Sequence, residues 1–468
     1  MQTQERWTKT NIRFAELYHL GKFDQAESLV PKLLEIGEKR FQTEHLELAA
    51  CLNNIAELYL AQEAFQKSII FHNKALAIQE KLLPEDALER ASSLNNLGVL
   101  YKDKGDLSQA HACHNGALKI KRRALGPHHP ELATTLNNLS ILLKTKGNLR
   151  GAEKVCRRAL TIREKELGSE HPDTASSLNN LAVIREMIGN FSEAEALYRR
   201  ALEIVEKSVG PTHPDTAVAQ NNLGHLLKAK GKNKEARKFL KRALKTKEAL
   251  HGKQSLSIAN LLISLAETYK VQAKLTSAEP LLRRARLIIE KHLGPDHPEL
   301  ATCLNTLASL YKEQEKFGEA EYLYKHVLNM TEINSSSSHP NVAAALNNLA
   351  VLYDAQGKYE AAEAMHKRAL SIVEAAYGPE HPNVASSLYN IAGLSLHLGN
   401  FNEAINYYRR ALAIREKAFG RNHISVLSVL NGLAKSYQSV GDKEEARRYK
   451  GRVLALRSAN GSAVRPSG

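Results

Sequence analysis

Histidines recur at matching points along this sequence, and imidazole is among the commonest metal ligands in proteins. They are His45, His129, His171, His213, His297, His339, His381 and His423. They fall one to a repeat, so they do not form the closely spaced sets that chelate a metal. Most of them precede a proline, which is typical of the first turn of a helix. We therefore predict that these histidines begin helices, and we predict no metal site and no cofactor.

The motifs of common enzymes do not occur in this sequence. It has no nucleophile elbow, phosphate-binding loop, dinucleotide fingerprint or zinc-protease motif. Its four cysteines, Cys51, Cys113, Cys156 and Cys303, are scattered and form no zinc or redox motif. The sequence therefore predicts a protein that is not an enzyme and whose thiols suit a reducing compartment.

Paired asparagines are the most informative polar feature. The first members of the pairs are Asn53, Asn95, Asn137, Asn179, Asn221, Asn305, Asn347 and Asn431. Seven residues after this position lysine occurs five times, as Lys102, Lys144, Lys228, Lys270 and Lys312. A side-chain amide can pair with both the N–H and the C=O of an extended peptide, and lysine can offset acidic charge. Whether these side chains act together depends on the elements that carry them.

Those elements follow from a strict repeat. The position of Leu52 recurs every 42 residues as far as Leu430, with no insertion or deletion. Ten units keep this register, and a shorter element around Phe14 to Ala26 precedes them, one residue out of step. A fixed period of this length indicates a repeat architecture.

Each unit has the pattern of two helices. In one unit Leu132, Leu136 and Leu139 recur at spacings of three and four residues, which is one apolar face of a helix. Gly147 interrupts that pattern, since glycine tolerates the positive φ of a helix end, and a second apolar stripe follows. About eleven helical hairpins, or about 22 helices with essentially no strand, are expected over residues 1–457. Residues 458–468 are small, polar and unpatterned, and we expect them to be a disordered tail.

Small residues indicate which helical repeat this is. Gly98, Ala110 and Ala117 are spaced 12 and 7 residues apart, and the matching positions of other units are also small. Small side chains there let the two helices of a hairpin approach closely, a pattern that resembles the tetratricopeptide repeat. HEAT or armadillo repeats have similar periods and are the alternative. The expected fold class is all-α, a right-handed solenoid of tandem tetratricopeptide-type helix-turn-helix repeats.

Net charge and hydropathy limit the kinds of partner and the cellular location that are expected for this protein. The formal net charge of +15 favours acidic partners. The beginning of the sequence lacks the apolar core of a signal peptide, and no stretch reaches the roughly 18 apolar residues of a membrane helix. We predict a cytoplasmic protein without a membrane span.

The 42-residue unit, with phrases such as HPELATTLNNLS and YYRRALAIREKAFG, resembles the kinesin light chain repeat domain and the repeats of nephrocystin-type ciliary proteins. The resemblance covers roughly residues 10 to 457. It implies a non-enzymatic scaffold or adaptor that binds proteins or peptides, with a cytoskeletal or ciliary association. Kinesin light chains also carry a coiled coil ahead of the repeats, which binds the motor heavy chain. We expect no such segment here, so the resemblance does not extend to motor attachment.

The same resemblance implies a binding surface. In that architecture the first helix of each hairpin lines a concave wall, and the first asparagine of each pair faces it. The implied peptide-binding residues are Asn95, Asn137, Asn179, Asn221, Asn305 and Asn347, with Lys102, Lys144, Lys228, Lys270 and Lys312. An acidic, extended peptide is expected there, between the second and fifth full units. The alternative is that the asparagines bind neighbouring helices and the lysines are merely solvated.

A basic run from Lys228 to Lys247 suggests a second function. It contains ten lysines and arginines against the single Glu235. Nucleic-acid or microtubule binding is therefore the alternative to peptide docking. Aromatic side chains that stack on bases are nearly absent, with only Phe239 present, so we favour a solvated charged face and do not expect nucleic acid as a partner.

Overall fold

The computed structural model describes residues 2–41, 44–62, 64–335 and 337–459. The described residues group into two compact units, which lie within residues 1–188 and 189–468. In these ranges the chain forms α-helices and two short 3₁₀ turns, Leu256–Ile258 and Ile424–Val426, and no strand. No helix among the described residues is long and apolar enough to cross a membrane.

The first unit contains ten helices. They are α1 (Gln2–His19), α2 (Phe23–Glu27), α3 (Val30–Phe41), α4 (Leu46–Ala61), α5 (Phe65–Leu82), α6 (Leu88–Asp103), α7 (Leu107–Leu125), α8 (Pro130–Thr145), α9 (Leu149–Glu166) and α10 (Pro172–Met187) in the residues described. From α4 onward, each even-numbered helix begins a 42-residue repeat and is called a first helix, and each odd-numbered helix is called a second helix; the two form a hairpin where both lie in the same unit.

The second unit continues the same order. Its described residues form α11 (Phe191–Val209), α12 (Pro214–Ala229), α13 (Asn233–His251), α14 (Ala259–Lys270), α15 (Leu275–Leu293), α16 (Leu300–Glu313), α17 (Phe317–Asn334), α18 (Pro340–Ala355), α19 (Tyr359–Tyr377), α20 (Pro382–His397), α21 (Phe401–Phe419), α22 (Leu427–Val440) and α23 (Lys443–Ala459). Within each unit these helices stack in chain order as a helical solenoid.

The observed helices confirm the predicted register and correct two details. The element that precedes the ten regular units has its second helix divided, because the chain leaves the helix at Ser28 and Leu29, between α2 and α3. The described chain therefore has one helix more than the expected 22. Helix α23 extends to Ala459, so Ser458 and Ala459 belong to a helix and not to the expected tail. Residues 460–468 lie outside the described residues.

Local sequence signals set the helix ends. Pro130 occupies the first turn of α8, where its missing N–H would have had no partner. Gly147, at φ of +77°, follows the end of α8 and turns the chain in the left-handed conformation that glycine adopts without strain. Asn148 then caps α9, because its Oδ1 atom accepts the Gly151 N–H at 2.9 Å.

Small residues hold the two helices of a hairpin close together, as predicted. Ala110 and Ala117 on α7 are fully buried. At Gly98 on α6, an added Cβ would lie 2.6 Å from Cε1 of His114, so only glycine leaves room for that ring. Within each unit the second helix of a hairpin also packs on the next first helix, and successive first helices touch one another. The first helices therefore form one continuous face in each unit, called here the first-helix face.

Candidate peptide-docking surface

Seven of the eight recurring histidines are N-cap residues, and the eighth, His297, lies in the turn just before α16, so their predicted role at helix starts is confirmed. In all eight, Nδ1 accepts a hydrogen bond from the backbone N–H two residues later, at 3.1 to 3.3 Å. These bonds satisfy donors that the first turn of a helix leaves unpaired. No group of three metal-ligating side chains is found within the described ranges.

A second set of histidines, which sequence reasoning missed, contacts the paired asparagines. The Oδ1 atoms of three asparagines lie within hydrogen-bond distance of a histidine Nδ1 on the second helix of the same hairpin: Asn53 and His72 at 2.9 Å, Asn95 and His114 at 3.2 Å, and Asn347 and His366 at 2.7 Å. The three histidine side chains are almost fully buried. Their spacing of 19 residues after the asparagine was a visible signal.

Burial holds two of these histidines in the neutral form. It lowers the pKa of His114 to about 4, with the Lys102 charge acting in the same direction. Burial likewise lowers the pKa of His366 to about 4. A neutral ring can share one proton with the asparagine and leave no buried charge.

The amide nitrogens of several first asparagines reach the next hairpin. Asn53 donates to Ser93 at 3.4 Å, Asn137 to Ser177 at 3.0 Å and Asn347 to Ser387 at 3.4 Å. Asn137 is only 5% exposed, and its Oδ1 accepts the Cys156 thiol at 3.9 Å. Both ends of the Asn137 amide are thus occupied inside the protein, which favours the alternative that these asparagines hold helices together.

The other predicted asparagines are partly buried on their first helices. Asn95 accepts a hydrogen bond from Asn138 of the next first helix at 3.3 Å, and Asn305 accepts one from Asn348 at 3.2 Å. Asn179 lies on α10 and Asn221 on α12. Asn431 donates to the Leu427 carbonyl of its own helix at 3.0 Å. A role for these amides in peptide binding stays a prediction.

The five predicted lysines lie near the carboxyl ends of first helices, and all are half-buried. In the first unit, Lys102 pairs with Asp103 at 2.9 Å. In the second unit, Lys228 pairs with Glu267 at 2.5 Å, and Lys270 bonds Ser309 at 2.7 Å and pairs with Glu313 at 3.4 Å.

Two of the lysines, Lys144 and Lys312, have no hydrogen-bonded or ion-paired side chain among the residues that the structure describes. Burial lowers the pKa of Lys312, and the carboxylate of Glu313 opposes that effect. An ammonium group that is half-buried without a direct partner can bind an incoming carboxylate. Lys228, Lys270 and Lys312, which lie on α12, α14 and α16 of the second unit, are called here the lysine column.

The basic run is partly neutralised by intramolecular pairs. Glu195 accepts hydrogen bonds from Lys230 at 2.6 Å and from Lys232 at 3.0 Å, and Glu206 accepts one from Arg242 at 2.8 Å. Exposed lysines without such partners in the described chain remain on one face of α13, at Lys234, Lys238 and Lys245. Some basic side chains of the run therefore form ion pairs within the protein, and the others form a narrow solvated stripe along α13.

Comparisons with known proteins agree with this architecture. The tetratricopeptide repeat matches residues 10–81, 89–155, 145–207, 189–249, 257–333, 341–417 and 384–459. A search of curated proteins finds no match. The chain is similar to the apo form of the quorum sensor NprR from B. thuringiensis, at 14% identity and a TM-score of 0.52, over 79% of this chain and 99% of that one.

Kinesin light chain-like structures are also similar to this chain. A putative kinesin light chain from Podosopora anserina with nearly identical TPR-like repeats has 24% identity and a TM-score of 0.41, over 45% of this chain and 99% of that one. BtubC (BKLC) from P. vanneervenii has 22% identity and a TM-score of 0.38, over 52% of this chain and 94% of that one. Since the repeat matches nearly the whole sequence, the chain belongs to the tetratricopeptide repeat family.

Proposed function

We propose that this protein is a non-enzymatic scaffold that docks an extended, acidic segment of a partner protein on the first-helix face of its second unit. Membership of the tetratricopeptide repeat family supports a protein-interaction role. The resemblance to kinesin light chain and nephrocystin-type repeats extends this proposal to a cytoplasmic adaptor with a kinesin- or cilium-related role.

The observation that carries the proposal is the lysine column. The same repeat position holds lysine in three successive first helices, so an extended chain lying across the helices would meet one ammonium group per hairpin. Half-buried charges are screened less by solvent than exposed ones, which strengthens their attraction for a carboxylate. Glu267 competes for Lys228 and Glu313 competes for Lys270, whereas no side chain of the described residues pairs directly with Lys312.

In this proposal the first asparagines have a structural part. Asn347 bonds the second helix of its own hairpin and the first helix of the next, and Asn305 accepts a hydrogen bond from Asn348, so these amides hold successive hairpins of the second unit together. The affinity for an extended peptide then depends on the charge and spacing of the lysines more than on hydrogen bonds between the asparagine amides and the peptide.

A titration with a fluorescent peptide rich in glutamate and aspartate tests the proposal. Lys270→Gln and Lys312→Gln should each weaken binding and flatten its salt dependence, because each removes a charge that the peptide contacts. The matched control is Lys367→Gln on α19, which removes an equal charge from a side chain that is 59% exposed. Equal weakening by all three variants would show a response to net charge alone, and no weakening by the first two would refute the site.

Nucleic-acid binding is the second candidate function, favoured by the exposed lysine stripe of α13 and the net charge of +15. Partners recovered in a pull-down should persist after nuclease treatment if the protein docks peptides. Loss of all partners after that treatment would support the second candidate instead.

A further inference from the structure

A buried arginine near the end of α9 shows that one position of the repeat can accommodate a guanidinium group. Arg163 is 6% exposed. Its guanidinium donates to the Asp173 carbonyl oxygen at 2.6 Å, to Ser177 Oγ at 3.1 Å and to Thr134 Oγ1 at 3.2 Å. Acceptors from the first helix of its own hairpin and from the next first helix therefore surround one guanidinium group.

The same position repeats this arrangement in the second unit. Arg415 on α21 donates to the Ser425 carbonyl oxygen at 2.7 Å, to Ser428 Oγ at 3.0 Å and to Ser386 Oγ at 3.5 Å. Its guanidinium also lies 5.8 Å from the ring centre of Tyr389. Two hairpins thus use the repeat to build the same guanidinium site.

In the hairpin of α16 and α17 the corresponding residue is Thr331, which is too short to fill that space. A cavity of about 300 Å³ is found there, between α16, α17 and α18. At the same position the other regular repeats hold arginine three times, as Arg163, Arg415 and Arg457, and otherwise Gln79, Lys121, Val205, Lys247, Ile289 and Val373, of which only the two valines are as short as threonine.

The walls of the cavity retain two of the three acceptors that serve each arginine, and the third, a serine hydroxyl, is replaced by alanine at Ala344 and Ala345. Thr302 stands where Thr134 accepts from Arg163, and Asn341 stands where Asp173 offers its carbonyl. Asn305 adds a side-chain oxygen, which accepts one hydrogen bond from Asn348 and has a second lone pair.

Access and electrostatics suit a cation from solution. Thr302, Asn341 and Ala344 line the cavity and are exposed, so a ligand can enter directly from solvent. The cavity also lies beside the last turn of α17, and the carboxyl end of a helix favours positive charge.

We propose that this cavity binds a guanidinium group, supplied by an arginine side chain of a partner protein. The planar fork of guanidinium matches acceptors placed on two sides, whereas an ammonium group is a compact point charge without that fork. This site is separate from the lysine column: the cavity binds a cation, whereas the column binds carboxylates. A variant that abolishes binding at one site can therefore leave binding at the other unchanged.

Methyl NMR of the full chain with labelled alanine and methionine tests the proposal directly, since Ala301, Ala344, Ala345 and Met330 line the cavity. Arginine blocked at both ends should shift these methyl signals saturably. Blocked citrulline and blocked lysine should bind at least about 5-fold more weakly, because each lacks the charged fork. No saturable shifts with arginine, or equal binding of lysine, would overturn the proposal.

Two variants locate the ligand. Thr331→Arg should fill the cavity as Arg163 does, abolish arginine binding and raise the unfolding midpoint. Tyr322→Arg is the matched control, since it adds the same charge to α17 at a side chain that is 66% exposed, and it should leave binding unchanged.

Thr302→Val removes an exposed acceptor with little risk to folding and should weaken binding about 5-fold. Unchanged binding in Thr302→Val and Thr331→Arg would contradict the site, whereas Lys312→Gln should affect only acidic peptides.

Discussion

At the scale of single residues, the buried histidine and asparagine pairs make stability depend on pH. The pKa of His114 and of His366 is about 4 in the folded protein, against an ordinary value of 6.5. The unfolded chain therefore binds more protons between these values, and stability is lost as pH falls from about 6.5 toward 4. Each histidine can account for up to about 3 kcal/mol of this loss.

Replacing both histidines by glutamine should reduce this pH dependence. Glutamine can still bond Asn95 and Asn347 but does not titrate, so the double variant should lose less stability between pH 7 and pH 5 than the wild type does. Urea unfolding at the two pH values measures the difference. His251→Gln, at an exposed position on α13, is the control and should behave like the wild type.

Asn137 and Lys144 should separate a structural role from a binding role. Asn137→Ala removes the amide that bonds Ser177 and should lower the free energy of unfolding by about 1 to 3 kcal/mol. Lys144→Ala should leave stability nearly unchanged, because no ion pair of the described residues is lost. Thermal unfolding measures both. If the Asn137→Ala protein were as stable as the wild type but bound peptide poorly, Asn137 would instead be a residue of the docking surface.

At the scale of elements, carboxylates on second helices tie neighbouring hairpins together. Glu195 on α11 accepts hydrogen bonds from Arg199 of the same helix and from Lys230 and Lys232, which follow α12. Burial alone would raise the pKa of Glu195, but these three donors lower it to about 2. The pairs therefore join α11 to the turn after α12.

Glu195→Gln should destabilise the second unit by about 1 to 3 kcal/mol at neutral pH, since three cations lose a charged partner that is only 12% exposed. The folded pKa lies below the unfolded value of 4.5, so this contribution is present above pH 4.5 and is lost as pH falls toward 2. Urea unfolding of the variant and of Glu203→Gln provides the comparison. Glu203 forms an exposed pair with Lys207 on the same helix, and its replacement should have almost no effect. Equal effects of the two substitutions would contradict the role given to Glu195.

At the scale of the whole molecule, stability should be distributed along the chain. Within each unit a hairpin contacts its neighbours in sequence, so removal of the last hairpin should affect mainly the adjacent one. Truncation after Gly420 should retain the wild-type helical signal per residue in circular dichroism. Truncation after Val440 leaves α22 without α23 and should cause more fraying of the terminal helix, visible in hydrogen exchange. Collapse of all helical signal in the first truncation would show that the repeats do not fold as a linear array.

The sequence by itself determined the helices and their order, because helix formation and capping depend on residues a few positions apart. Leu132, Leu136 and Leu139 define a helix face, His129 and Pro130 begin that helix, and Gly147 follows its end. The small residues at Gly98 and Ala110 likewise revealed the close packing of hairpins. All of these signals lie within one repeat.

Tertiary structure decided which polar groups remain free to bind a partner. The partners of Asn53 lie 19 and 40 residues later, at His72 and Ser93, so only the packed hairpins show that its amide is occupied. Thr331 looks unremarkable in sequence, and its cavity exists because three helices keep their spacing around a side chain shorter than arginine. The repeat fixes the positions of the helices, and the space that each side chain leaves unfilled depends on all of the helices that surround it.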